Sequence, residues 1–244
     1  MIRLRRTPSR IVSGVAQPLL FLFVMGAGLG RLIDANPQGF DYQEFLYPGI
    51  LCMSVITSAL FSAISVVWDR EFGFLREMLV APVARTSLVV GKALGGGSVA
   101  VAQGLILVLT APLVGVSLTL GRAVGLVLAL LLLAFALTSF GMVLATRMER
   151  MESFQMVMAL VLQPMIFLSG TVFPLQNLPG WLAVLTRLNP ATYGVDLVRR
   201  TALSDAPALT INGMVVPMWL DAVIVLGLGS MLLALAVRLF HRSE

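Results

Sequence analysis

The stretch AVGLVLALLLLAFALTSFGMVLA, residues 123–145, runs for 23 residues without a charged side chain. As a helix rising about 1.5 Å per residue it reaches about 35 Å, enough to cross the roughly 30 Å hydrocarbon layer of a bilayer with some tilt. Hydrocarbon offers no hydrogen-bond partners, so such a segment must satisfy its peptide groups internally, and a helix does so. Five further apolar runs, at about 11–30, 47–67, 93–119, 154–173 and 218–237, repeat the pattern. These runs predict an all-α integral membrane protein with six transmembrane helices in a single domain over residues 1–244. With 58% hydrophobic and 12% charged residues in the chain, no length remains for a sizeable soluble domain. The first run follows RLRRTPSR, which resembles the basic end of a secretory signal, but its length and the five later runs favour a retained span.

Basic residues orient the spans. With the N-terminus inside, only Arg31, Arg122, Arg187, Arg199 and Arg200 of the 17 lysines and arginines fall outside. The excess of positive charge on the inner side, together with an even number of crossings, predicts that both termini are cytoplasmic. Trp181, Tyr193 and Trp219 are then expected near the outer interface and Trp68 near the inner one, where amphipathic rings are favoured. Asp221, about one turn into the last run, reads as interfacial.

Several features interrupt the runs. Pro112 marks a bend or an exit in the third, and Gln163, Pro164, Ser169 and Gly170 predict a kink in the fifth. In the long connection at 174–217, Asn177 and the Asn189–Pro190 pair read as helix starts. Two short helices over about 178–203, lying on the outer membrane surface, are predicted there. GAGLG at 26–30 and GGG at 95–97 lie in apolar runs without preceding strands. They read as packing sites, with Gly26 and Gly30 or Gly91 and Gly95 at the four-residue spacing.

The segment WDREFGFLREMLVAPVARTSLVVGK, residues 68–92, breaks this apolar pattern. On a helix, Phe72, Phe74, Leu75, Met78 and Leu79 share an arc of about 160°, with Asp69, Arg70, Arg76 and Glu77 opposite. An amphipathic helix over about 69–81 follows, ended by Pro82. A helix resting on lipid is expected to be rich in lysine and arginine, whereas Asp69, Glu71 and Glu77 here balance Arg70, Arg76 and Arg85. Mixed charge over an apolar stripe fits a protein groove better.

That segment, with FPLQNLPGWL after the fifth run and LNPATYGVDLVRR before the sixth, resembles the type 2 ABC transporter permease family. The likeness is nearest to the daunorubicin-resistance permeases and next to the nodulation-factor exporters. It covers nearly the whole chain, and its three motifs occur in the family's order. The resemblance implies a membrane-spanning subunit of an ATP-powered exporter. It implies a drug or antibiotic as cargo, or else a lipid, lipo-oligosaccharide or polysaccharide. It also implies two copies of a separately encoded ATPase holding the ATP and Mg, a second permease subunit identical or related to this one, and residence in the bacterial cytoplasmic membrane. The elbow is then the cytoplasmic coupling helix between the second and third spans, and Glu71, Phe72, Gly73, Arg76, Glu77 and Pro82 fall in it. The paired outer helices match the family's outer cap between its fifth and sixth spans. One departure is the segment ahead of the first run, about ten residues where the family carries a longer amphipathic helix.

The residues themselves exclude several other functions. At Gly91–Lys92 the next residue is Ala93, where a phosphate-binding loop needs serine or threonine, so this chain is expected to bind no ATP cofactor of its own. No run carries a central ionisable group of the kind an ion-driven exporter needs. The single histidine, His241, lies in the tail, which argues against an intramembrane protease, any catalytic residue and a metal site. The net charge of +5 in so apolar a chain reads as orientation in the bilayer, with no nucleic-acid partner. The lone Cys52 reads as packing. A channel lined by uncharged polar groups and a purely structural scaffold are the readings from other classes. For a hydrophobic or amphipathic substrate the candidate path residues are Thr57, Phe61, Gln163, Met165 and Phe167. The glutamines also suit hydrogen bonds between helices.

Overall fold

A computed structural model describes residues 16–25, 28, 42–74, 85–114, 116, 118–173, 175, 178–203, 209–211 and 214–242. Its helices in chain order are α1 (Ala16–Met25), α2 (Tyr42–Ser62), α3 (Ile64–Glu71), α4 (Arg85–Val108), α5 (Leu120–Ala145), α6 (Met151–Leu168), α7 (Gly180–Leu188), α8 (Pro190–Ala202) and α9 (Met218–Arg242). A 3₁₀ turn over Ala111–Val114 follows α4. Strands β1 (Thr210–Ile211) and β2 (Met214–Val215) form a small antiparallel hairpin with Thr210 opposite Val215.

Among the described residues, five helical segments are long and apolar enough to cross a membrane: Glu44–Glu71, Thr86–Val108, Leu120–Ala145, Met151–Leu168 and Met218–His241. The prediction of six is corrected to five. Of the run at 11–30, the described residues give the ten-residue helix Ala16–Met25, about 15 Å long and half of what the hydrocarbon layer requires. Placement of both termini on the cytoplasmic side, expected from the basic residues together with an even number of crossings, loses the second of these supports.

The helix of the third span starts ahead of the predicted run, and its interruption near Pro112 is as predicted. That helix stops at Val108, and the 3₁₀ turn takes in Pro112, whose ring and missing N–H do not fit a continuing helix. In α6, by contrast, Pro164 lies inside the helix.

The core forms around α5. Its Leu126, Leu130, Leu133 and Leu137 recur at helical spacing and are fully buried against α2, α4, α8 and α9. Tyr47 on α2 donates its hydroxyl to the Leu107 carbonyl at 3.0 Å and so ties the start of α2 to the end of α4. On α4 the glycines that closely approach another helix are Gly96, against Ser62, and Gly104, against Val55, whereas a Cβ on Gly91 or Gly95 would meet nothing within 4 Å. The four-residue glycine spacing predicted the wrong face of α4. Cys52 is a free, buried thiol.

The largest departure is α8. The two helices over about 178–203 were predicted to lie on the outer surface, and only α7 has an exposed apolar face, with Trp181, Val184, Leu185 and Leu188 open. Every residue of α8 from Ala191 to Arg199 is buried, and the helix packs between α5, α9, α2 and α6. Tyr193, assigned to the outer interface, is buried and donates its hydroxyl to the Arg187 carbonyl at 2.9 Å. Asp221, also read as interfacial, has no exposed surface.

Candidate functional site

The elbow begins where α2 runs through a turn at Ala63 into the eight residues of α3. Val66 and Val67 bury one face of α3, and Trp68 and Phe72 pack ring against ring on the other at 5.0 Å between centroids. Trp68, Phe72 and Phe74 are each about half exposed, at 47%, 57% and 53%, and make an aromatic patch at the tip. Gly73 stands at φ +78°, a left-handed conformation that L side chains rarely adopt, and it turns the chain out of α3. Glycine is the residue this turn requires.

The charges of the elbow engage this chain's own neighbouring elements. Asp69 pairs with Lys92 on α4, and the Lys92 ammonium also donates to the Ser65 carbonyl at 3.1 Å. The Arg70 guanidinium donates to the carbonyls of Thr146 and Met148, at 2.9 and 3.2 Å, just past the end of α5. Glu71 accepts from the Met151 amide at 2.9 Å, so a carboxylate sits at the N-terminus of α6, where backbone N–H groups lack helical partners. Of the predicted coupling residues the structure therefore brings Glu71, Phe72 and Gly73 to one tip. Arg76, Glu77 and Pro82 lie outside the described residues.

The five predicted path residues are not brought onto one surface. Thr57 is half-buried and donates to the Met53 carbonyl at 2.8 Å within its own helix, and Phe61 packs against the core. Met165 is buried. Gln163 and Phe167 are exposed on the opposite face of α6. That face also carries Gln155, Met156 and Leu160, all exposed, so two amides and a set of apolar side chains share it.

A buried polar cluster around α8 was missed. Arg199, 4% exposed, donates to the Gly170 carbonyl at 2.5 Å and lies 4.2 Å over the centre of the Phe45 ring. Burial lowers its pKa to about 10, which leaves it charged at neutral pH. Arg200 donates to the Val216 carbonyl at 2.6 Å and lies 3.4 Å from Asp196 and 3.6 Å from Asp221. Asp196 accepts from the Leu209 amide at 3.0 Å, and burial pushes its carboxyl above the usual range. The cluster joins α8 to the hairpin, to α9 and to the turn after α6. Its only trace in the sequence is three charges on a helix otherwise suited to burial.

Five membrane-length helices among the described residues, one of them the central α5, define a multi-pass membrane protein. Residues 1–203 match the family described as ABC-2 type transporter, and the chain belongs to that family. It is similar to the putative transport permease ycf38 of Cyanophora paradoxa, at 31% identity over 203 residues, 81% of this chain and 69% of the relative. Nodulation protein J of Rhizobium leguminosarum bv. viciae is 32% identical over 80% of this chain and 75% of its own length. The inner membrane transport permease YadH of Escherichia coli K12 is 31% identical over 84% and 81%. The protein is thus a membrane permease subunit of an ABC-type transport system and not itself an enzyme. These relatives place it in the family as a whole, without assigning it specifically to a drug-resistance or nodulation-factor branch.

Proposed function

We propose that this subunit exports an amphipathic molecule with a polar or sugar-bearing head and a lipid-like tail, of the lipo-oligosaccharide or glycolipid class, across the bacterial cytoplasmic membrane. The exposed face of α6 carries the reading. Gln155 and Gln163 stand on it beside Met156, Leu160 and Phe167, within a helix of membrane-spanning length. An amide facing hydrocarbon alone is costly, so these side chains call for a polar partner inside the bilayer. A second permease subunit facing this one supplies an enclosed path, and the head group of the cargo supplies the hydrogen bonds, while the apolar side chains accept its tail. The similarity to nodulation protein J supports this class of cargo.

The motor is separate in this reading. Two copies of an ATPase subunit, holding the ATP and Mg, dock at the elbow tip, where Trp68, Phe72 and Phe74 leave an exposed aromatic patch on either side of the turn at Gly73.

The test is uptake into proteoliposomes that contain this chain and its cognate ATPase. A fluorescent lipo-oligosaccharide and a lipophilic drug dye are offered in parallel, with ATP on the ATPase side. ATP-dependent movement of the lipo-oligosaccharide, lost with a hydrolysis-dead ATPase, is the expected result. Movement of the drug dye alone would overturn the cargo, and pumping by the chain without any ATPase would overturn the motor.

A further inference from the structure

Three consecutive residues at the end of α3, Asp69, Arg70 and Glu71, point in directions about 100° apart on the helix. Each of the three holds a different element: α4 through Lys92, the α5–α6 connection through the Thr146 and Met148 carbonyls, and α6 through the Met151 amide. We propose that Asp69, Arg70 and Glu71 are positioning residues that act as one clamp, carrying movement of the elbow into α4, the α5–α6 connection and α6 together. The clamp rests on the reading of the α3 tip as the ATPase contact and supplies the route from that contact to the spans.

The geometry gives the clamp its purpose. The helix α3 is only eight residues long; it continues α2 through the buried Ala63, whose φ −68° and ψ −15° stay close to helical, and it ends at the left-handed Gly73. Its buried side chains are Val66 and Val67, so movement at the tip reaches the other elements through the polar contacts of its last three residues. Exposed ion pairs contribute little to stability. These contacts instead bridge elements distant in sequence, and the Lys92 and Asp69 side chains are only 20% and 24% exposed, so part of each charge is screened from water by protein. The helix α6 has few buried residues along its length, which leaves the grip at its first residue as a principal constraint on where it goes.

The experiment uses the complex of this chain with its ATPase in nanodiscs and needs no knowledge of the cargo. An environment-sensitive thiol dye is placed at Leu94→Cys on α4 or Met156→Cys on α6, both exposed positions, while the buried Cys52 stays unlabelled. Adding ATP is expected to shift the dye emission at both positions in the parent protein. Asp69→Lys should reduce the α4 response about five-fold or more, and the exchanged pair Asp69→Lys with Lys92→Asp should restore most of it. Arg70→Ala, which gives up the Thr146 and Met148 carbonyls, should reduce the α6 response similarly, with ATPase binding and hydrolysis measured alongside. Undiminished responses in these variants, or a charge exchange that restores nothing, would overturn the clamp and leave the docking reading intact. If the parent shows no response at either dye with ATPase bound, the docking reading itself falls and takes the clamp with it.

Discussion

Arg199 shows how a single buried charge is kept in an apolar protein. The guanidinium is large, weakly hydrated and planar, and here it faces the Phe45 ring on one side and the backbone carbonyls of Gly170 and Thr171 on another. Arg199→Met removes both interactions and leaves those carbonyls short of a donor. It is expected to cost about 3 kcal/mol, read as a lower midpoint of unfolding in detergent. Arg199→Lys keeps the charge and loses the fork and the stacking, and should fall between the two. In the sequence Arg199 was one of five basic residues assigned to the outer side. A count of charges records that a charge exists, and whether the fold encloses it depends on donors and acceptors brought from residues far away in the chain.

At the scale of elements, α8 is held inside by its first residues as much as by its apolar face. Asn189 accepts from the Ala191 amide at 3.1 Å, and its own amide donates to the Met165 carbonyl at 2.8 Å on α6. Asn189→Ala should therefore cost about 2 kcal/mol, at the upper end for a helix cap because a second, buried hydrogen bond is lost with it. Thermal unfolding followed by the exposed Trp181 and Trp219 would measure it. The turn after α6 has its own constraint at Gly49 on α2, where a Cβ would stand 1.9 Å from the Thr171 carbonyl oxygen. Gly49→Ala must push α2 away from that turn, and it is expected to destabilise the protein by about 2 kcal/mol or more and to weaken the Arg199 contacts as well. Asn189–Pro190 was legible as a helix start, because a capping side chain and a proline in the first turn are local signals. The depth of the helix was not. Its three charges, Asp196, Arg199 and Arg200, suggest a surface helix, and contacts with Leu209, Val216, Asp221 and the Gly170 carbonyl offset part of the cost of burying them.

For the whole molecule the consequential surface is the face of α6 left open in a single copy. Gln155→Leu with Gln163→Leu makes that face uniformly apolar, and a lipid-facing helix would tolerate or welcome the change. If the face lines the path, the double variant should fold and bind its ATPase normally while transport of the amphipathic cargo falls about ten-fold, measured as initial uptake rate into proteoliposomes. The apolar runs were enough to indicate a helical membrane protein, because burial in hydrocarbon acts over short stretches of chain, and the family was legible as a resemblance carried by the elbow segment and the motifs around Asn189. Six crossings were expected and five helices of spanning length stand among the described residues, since composition marks a run as apolar without fixing how long a helix it forms. The inward position of α8, the buried charges around it and the grip of Asp69, Arg70 and Glu71 on three other elements were decided only by the tertiary structure. Each depends on polar partners tens of residues apart, and no local pattern in the sequence pairs them.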